Sequence, residues 1–533
     1  MQGEQGKVVF KPYDQGQLQM FPPSLDSLIP ENHIVRLINS AIDKMDILPI
    51  IDGYKGGGTS SYHPRMLLKV VVYAYSQRIY SSRQIAKEVR ENVNFMWLSG
   101  GNRPDFRTIN RFRSSRLRGT TEKIFAAMLE LLSEAGLVNL NEYFLDGTKL
   151  EANATRYSFV WKKSTQRHEE NLDKKVRELF REIDRLNRHE NKHYRGKDLP
   201  ELGEDAVAIS AEQMEERLAE LNKALAEPDE NTDKETRLRL KKAARKLEKD
   251  FIPRKKKYRK QRQLFKGRNS YSKTDPDATF MRMKEDHMRN GQLKPGYNVQ
   301  MGTENQFITG YSVHQKSTDT TLFAPHLATL ENEFGFVPEK LIADAGYGSE
   351  ENYSILESQD INGYVKYGGF DGESSRKFAL QKDFYPEFME YDEKAGAFIC
   401  PAGKRLNLQG TRKRKTANGF VSLYHIYESE KCDGCELRAC CHNQQSNRRI
   451  QVNHKLLVYR KKARENLRSP QGETLRRRRL VEIESVFGQI KHNRAFRRFM
   501  LRGLEKVTIE TGLLSLAHNM KKWHRTLQNP VPV

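Results

Sequence analysis

Tyr143-Phe-Leu-Asp-Gly-Thr-Lys149 is an apolar run that ends on a carboxylate and meets a glycine at once. A short strand of this kind leaves Asp146 at its carboxyl end, where an α/β sheet opens to solvent and where metals and substrates commonly bind. The design recurs at Lys340-Leu-Ile-Ala-Asp-Ala-Gly-Tyr-Gly348, where Asp344 ends a strand-like run and a glycine turn leads into a helix-like stretch. A third acid, Glu484, lies in Val481-Glu-Ile-Glu-Ser-Val-Phe-Gly-Gln-Ile-Lys491, which reads as a helix with Ile483, Val486, Phe487 and Ile490 on its apolar face. Alone, each acid is an ordinary solvated side chain. Together, two strand-end aspartates and a helical glutamate can converge on divalent metal.

The chain has 533 residues, too many for one ordinary core, so roughly two to four domains are expected. Its 92 basic against 69 acidic residues give a net charge of +23, which points to a polyanion as partner, with an anionic membrane surface as the bland competitor. No apolar stretch approaches the roughly eighteen residues of a spanning helix, and Met1-Gln-Gly-Glu-Gln-Gly-Lys7 lacks the apolar core of a signal peptide. A cytoplasmic, nucleoid-associated protein is therefore expected, with its five cysteines reduced unless they hold metal.

Residues from about 20 to 135 read as helical. Ile34, Leu37, Ile38, Ile42 and Met45 follow a helix start at Pro30-Glu-Asn-His33, and His63-Pro-Arg-Met66 opens a second helix after Gly56-Gly-Gly58. Tyr80-Ser-Ser-Arg-Gln-Ile-Ala-Lys-Glu-Val89 and Asp105-Phe-Arg-Thr-Ile-Asn-Arg-Phe-Arg113 form a pair that resembles a helix-turn-helix, with Arg107, Arg111 and Arg113 set for phosphate. Plain helical packing is the competing reading.

From about Phe159 to Tyr258 the chain is nearly all charge. Leu172, Val176, Leu179, Ile183 and Leu186 make one seam, and Met214, Leu218, Leu221 and Leu225 another, which predicts two or three helices in a hairpin or small bundle, interrupted around Pro228 and Asn231. The insert ends in Arg254-Lys-Lys-Lys-Tyr-Arg-Lys260, where Arg254, Lys255, Lys256 and Lys257 could track phosphates and Tyr258 could stack. An exposed linker is the alternative.

Sheet-like sequence then returns. Gly296-Tyr-Asn-Val-Gln-Met301 and Phe307-Ile-Thr-Gly-Tyr-Ser-Val313 read as a hairpin, Thr318 to Phe334 as a helix and Ile361-Asn-Gly-Tyr-Val-Lys366 as one more strand. The order fits an α/β protein with a ribonuclease-H-like mixed sheet, interrupted by the helical insert and preceded by an all-α domain.

Phe144-Leu-Asp-Gly-Thr148, Gly296-Tyr-Asn-Val-Gln300, Ala343-Asp-Ala-Gly-Tyr347 and Ile483-Glu-Ser-Val-Phe-Gly-Gln-Ile-Lys491, with Phe496-Arg-Arg-Phe499 beyond, together and in this order resemble a bacterial insertion-sequence transposase of the DDE class. The resemblance implies a catalytic triad of Asp146, Asp344 and Glu484 holding magnesium or manganese, with Lys491 as the basic residue seven positions past the glutamate. It also implies double-stranded DNA as partner, cleavage at terminal inverted repeats and transfer of the freed strand, with a homodimer on DNA because two ends must be joined. Two metal ions about 3.5 to 4 Å apart can activate the attacking oxygen and stabilise the leaving one. Asp146 is expected to bridge the ions while Asp344 and Glu484 each complete one shell.

Glu484 and Lys491 should share a helix face. Arg478 or Arg479 is expected on DNA backbone, and Glu482 competes with Glu484 for the metal role. Asp275 and Asp277 are expected to support the site or the fold. Arg497 and Arg498, alternating with aromatics in Asn493-Arg-Ala-Phe-Arg-Arg-Phe-Met-Leu-Arg502, suit stacking and phosphate contact.

Cys432-Asp-Gly-Cys435 with Cys440 and Cys441, and the distant Cys400, resemble a zinc ribbon. Its four ligands would be Cys400, Cys432, Cys435 and Cys441, with plain reduced thiols the open alternative. The expected division is a helical DNA-binding domain over 1–135, core pieces over 136–158, 263–390 and 451–533, a helical insert over 159–262, and a cysteine-containing β insert over 391–450. A nuclease that cuts without joining, or a non-enzymatic DNA binder derived from a transposase, are the alternative functions.

Overall fold

The computed structural model describes residues 23–54, 61–191, 209–226, 233–283, 292–442 and 444–529. Gly56 to Gly58, Pro228 and Asn231 lie outside them.

Among the described residues seven α-helices run before the sheet, including Ile34–Lys44, Pro64–Ser76, Ser82–Glu91, Phe106–Arg111 and Thr121–Glu134. Their starts are set locally. His33 Nδ1 accepts from Val35 N, His63 Nδ1 accepts from Arg65 N with Pro64 as the first helical residue, and Asp105 Oδ1 accepts from Thr108 N at 2.7 Å. The inward faces are buried at Ile34, Ile38 and Ile42, and Leu37 is half-buried. Between Ser82–Glu91 and Phe106–Arg111 stands a further short helix, Val93–Leu98, so the two are not joined by the tight turn of a helix-turn-helix.

Strand β1, Glu142–Glu151, is the axis of the molecule. The expectation that it stops at Gly147 is corrected: Gly147 pairs with Gln300 and the strand runs on to Glu151. Glycine is required there by close approach rather than by a turn, because a Cβ would lie 2.4 Å from Asp319 Oδ1 and from Gln300 Nε2.

After β1 the chain leaves through β2, Phe159–Trp161, and returns through β3, Ser270–Ser272, which pair antiparallel. Among the described residues four α-helices stand between them, Lys162–Asn191, Ala211–Ala226, Lys234–Lys246 and Ile252–Phe265, one or two more than the seams suggested. They enclose a core of their own containing Leu172, Val176, Ile183, Met214, Leu221, Leu247 and Phe251.

The main sheet adds β4 Thr279–Arg282, β5 Leu293–Glu304, β6 Phe307–His314, β7 Lys340–Ala343 and β8 Asn362–Val365. Its spatial order is β4-β5-β1-β7-β8, with β6 also pairing β5. β5 is antiparallel to β1 and β6, whereas β1, β7 and β8 run parallel. Gly302 and Gly310 open a slot for Tyr143: a Cβ on Gly302 would sit 1.7 Å from the ring's Cζ.

A second sheet, all antiparallel, comprises β9 Glu390–Asp392, β10 Ala397–Ile399, β11 Arg405–Lys415, β12 Val421–Ser429 and β13 Arg449–Val452, in the order β13-β12-β11-β10-β9. Its small core is Met389, Phe398, Leu406, Tyr427, Ile450 and Val452. Helices His454–Arg468, Pro470–Gly488 and Leu504–Gln528 follow. The last packs against Pro64–Ser76 and β6, and is buried on nearly every side from Val507 to Met520. One hydrophobic cluster consequently runs from Ile29 to Met520, so the amino-terminal helices and the main sheet share a core.

Candidate active site

The parallel ladder between β1 and β7 ends at Phe144 opposite Ile342. Two residues further on, each strand carries its acid, Asp146 and Asp344. Asp146 is 6 % exposed and its Oδ1 accepts from Gly147 N. Asp344 is more open, and its Oδ1 caps the turn Ala345–Tyr347 by accepting from Gly346 N at 2.9 Å. The helix Pro470–Gly488 starts with Ser469 as cap and Pro470 in its first turn, and crosses β1, β5 and β7, which brings Glu484 over the same end.

The three acids meet around one guanidinium. Arg479 Nη2 lies 3.1 Å from Asp146 Oδ2 and 3.9 Å from Asp344 Oδ2, and Nη1 lies 3.7 Å from Glu484 Oε1. Its side chain is only 12 % exposed, so this charge works in a partly dried pocket where attraction exceeds that of a surface pair. Arg479, expected on DNA backbone, is thus the cation of the carboxylate cluster.

Behind Asp146 is a polar layer with a fourth acid that sequence reading passed over. Asp319 Oδ1 accepts from Asn298 Nδ2 at 2.7 Å and from Gln300 Nε2 at 2.9 Å, and the Tyr347 hydroxyl donates to Gln300 Oε1. Burial, with Asp319, Asp146 and Asp344 nearby, pushes the Tyr347 phenol well above its usual range, so it stays a donor. The signal was present in Tyr297-Asn-Val-Gln300, where polar residues at period two sit in a strand otherwise fit for a core.

The competing acids are placed elsewhere. Glu482 is buried and accepts from Gln306 N at 2.6 Å and from Arg478. Asp275 accepts from the Tyr297 hydroxyl and Gly503 N, and Asp277 from Leu504 N; both fasten the start of the terminal helix.

Several residues expected on DNA are in the interior. Arg113 is 2 % exposed and donates to the Tyr75 hydroxyl and Tyr80 O. Lys255 is 4 % exposed and pairs with Glu169 and Asp173, while Tyr258 packs in the insert core. Both cations are held by buried partners that cannot be left uncompensated, and this outweighs their place in basic runs. Arg478 spans Glu142 and Glu482 and lies over the Phe144 ring. Arg254 pairs with Asp250 and Lys256 with Glu215. Arg107 lies over the Phe106 ring, and Arg107, Arg111 and Lys257 are exposed.

Glu484 and Lys491 do not sit along one straight α-helix, because Gln489–Asn493 is wound as a π-helical turn; Lys491 is 8 % exposed while the Glu484 side chain is about half exposed. Arg497 Nε donates to Lys491 O, and Arg498 donates to Ala152 O and Ala154 O. Phe496 and Phe499 are buried and are not stacking platforms.

Cys400, Cys432, Cys435 and Cys441 line one small cavity with His442 and Arg448, whereas Cys440 is exposed. Burial raises the Cys441 thiol, and Arg448 N donates to Cys432 Sγ at 3.2 Å. Among the described residues, no group of three or more histidine, cysteine, aspartate or glutamate side chains is already gathered to hold a metal ion. The carboxylates of Asp146, Asp344 and Glu484 gather instead on Arg479, an organic cation, and as hard oxygen donors they are of the kind that magnesium takes.

Comparison with known families supplies the class: a model described as a transposase domain matches residues 23–115, and one described as a transposase DDE domain matches residues 399–524. No curated protein matches. The two matches support an insertion-sequence DDE transposase. The DDE match contains Glu484 and stops short of Asp146 and Asp344. A DDE domain suggests an enzyme of the polynucleotidyl transferase or endonuclease kind, and transposases act on DNA. No helix among the described residues is long and apolar enough to cross a membrane.

Proposed function

We propose that the protein binds the terminal inverted repeats of its element, cuts there and joins the freed strand to target DNA, with Asp146, Asp344 and Glu484 as the metal-binding acids. The observation that carries the reading is the approach of all three carboxylates, from two strands and a distant helix, to the one Arg479 guanidinium. The antiparallel neighbour β5 on one side of β1, itself flanked by β4 and β6, and two parallel strands on the other side support a ribonuclease-H-like core.

Bound magnesium or manganese would supply an activated water and charge on the leaving oxygen. The chain does the rest. Asp146 is held on a strand backed by Asn298, Gln300 and Asp319; Asp344 is fixed by its own turn; Glu484 rides on a long helix and has the freedom to adjust. Arg479, released from the carboxylates, offers a fork of donors suited to a phosphate. Four thiols on one cavity support a structural zinc in the second sheet, with zinc analysis of the purified protein as its check. Joining two ends calls for two copies on DNA.

The test is cleavage of end DNA with magnesium by Asp146→Asn, Asp344→Asn and Glu484→Gln. Each should fall to background while end binding persists; undiminished cleavage in all three refutes the assignment. Pre-cut ends that give no joined product would make the protein a nuclease.

A further inference from the structure

The β11–β12 hairpin is longer than the sheet that carries it. β10 pairs only with Arg405 and Leu406 of β11, and β13 covers β12 only from His425 to Glu428. Beyond the register shift between Leu408 and Gly410, the segment from Thr411 to Tyr424 is a bare two-stranded ribbon. Such a ribbon has unpaired edges, which proteins protect or use.

Its charge is one-sided. From Leu406 to Tyr427 the chain has Arg412, Lys413, Arg414 and Lys415 and no carboxylate. Their cross-strand neighbours are Tyr424, Leu423, Ser422 and Val421, none of them charged. All four cations are exposed, and among the described residues none forms an ion pair; Arg414 bonds Gln451 and lies 4.8 Å over the Tyr424 ring. Four adjacent like charges repel one another, a cost that salt screens in part and an anionic partner removes.

The ribbon's tip is tied to the candidate active site. Asn418 Nδ2 donates to Thr321 O at 3.2 Å and to Glu351 Oε1 at 3.0 Å. Next to it, Thr320 Oγ1 donates to Gly346 O, and Gly346 N donates to Asp344 Oδ1. Three hydrogen bonds therefore connect the turn of the ribbon to a triad carboxylate.

We propose that the β11–β12 ribbon is a duplex-DNA contact: Arg412, Lys413, Arg414 and Lys415 grip the backbone of the DNA whose phosphate enters the carboxylate site. A two-stranded ribbon fits the roughly 12 Å major groove, and its cations project to both faces, toward the strands that flank a groove. The inference rests on the transposase reading above and adds to it an interaction surface that a sequence reading had passed over, because Arg412 to Lys415 carry no motif.

The test uses full-length protein carrying Asp146→Asn, with and without Arg412→Gln, Lys413→Gln, Arg414→Gln and Lys415→Gln together. Affinity for a duplex spanning the cut position is measured against salt. Losing the ribbon's phosphates should lower the slope of log K against log salt by about 0.9 per contact, about 2 to 4 in all, and weaken binding at least about tenfold at physiological salt. Replacing Arg412 and Arg414 by lysine instead should keep the slope. A benzophenone side chain at Ala417 should cross-link duplex within a few base pairs of the cut.

An unchanged slope and affinity, or cross-links only to distant DNA or to single strands, overturns the ribbon contact. That result leaves the transposase reading standing wherever protein with an intact triad still cleaves end DNA; failure of that protein to bind or cleave refutes the reading itself.

Discussion

Arg479 Nη2 stands 3.1 Å from Asp146 Oδ2, and the same guanidinium reaches Asp344 and Glu484. Removing one partner of a buried pair leaves the other charge uncompensated, so Arg479→Met should cost about 3 kcal/mol without metal. Divalent metal should restore much of it. The rise in melting temperature on adding manganese should be larger in the variant than in the parent, because ions then bind carboxylates that no longer have a resident cation. Equal stabilisation in both would mean that the arginine and the ions do not compete for these oxygens.

Arg113 illustrates how basic residues mislead. Its Nη1 holds the Tyr75 hydroxyl and Tyr80 O, and Tyr75 in turn donates to Glu510, which accepts from Met500 N and Leu501 N. Burial pushes the Glu510 carboxyl up while Arg113 pulls it down. Arg113→Met should therefore destabilise by about 3 to 5 kcal/mol in urea unfolding, and adding Glu510→Gln should recover part of it. An Arg113→Met protein of parental stability but lower salt dependence of DNA binding would return this residue to the surface.

What was legible follows from range. The approach of Asp146, Asp344 and Glu484 to one another could be anticipated because an acid after an apolar run and an amphipathic helix are local patterns, even though β1 runs on past Asp146, and the insert's seams at Leu172 to Ile183 and Met214 to Leu221 are local too. Burial decided by partners far apart in the chain could not be read: Arg113 with Glu510, Lys255 with Asp173, and Phe499 against Tyr297. The strands β9 and β13 have only three and four residues, too few to show a period.

Gly147 gives a prediction that separates packing from binding. Alanine there would press a methyl against Asp319 and Gln300, the layer behind Asp146. Overpacking of this kind costs about 1 to 3 kcal/mol. Gly147→Ala should keep end binding at permissive temperature and lose most cleavage, since Gly147 N is the donor to Asp146 Oδ1 and a shift of the strand there moves the carboxylate. Parental cleavage rates would show that the carboxylate is not positioned through Gly147.

Acid should unfold the protein through buried histidines. His326 bonds the Tyr143 hydroxyl through Nε2 and Ser312 through Nδ1, and burial, then the nearby His314, lowers its pKa to about 3. Burial, then Arg494, lowers His518 to about 3 as well. A folded pKa below the ordinary 6.5 means the unfolded chain takes up protons that the folded one refuses. The stability these rings permit is complete above about pH 6.5 and falls as pH drops toward 3, about 2 kcal/mol per histidine between pH 6.5 and 5. Buried acids with raised pKa values, such as Glu510, act in the opposite sense and blunt the fall. His326→Gln keeps an amide at both hydroxyls but cannot titrate. Its urea-unfolding free energy should lose less than the parent's between pH 7 and 5, by about 2 kcal/mol, whatever its absolute stability at neutral pH. Parallel pH profiles for the two proteins would mean that His326 is charged in the fold or reached by water.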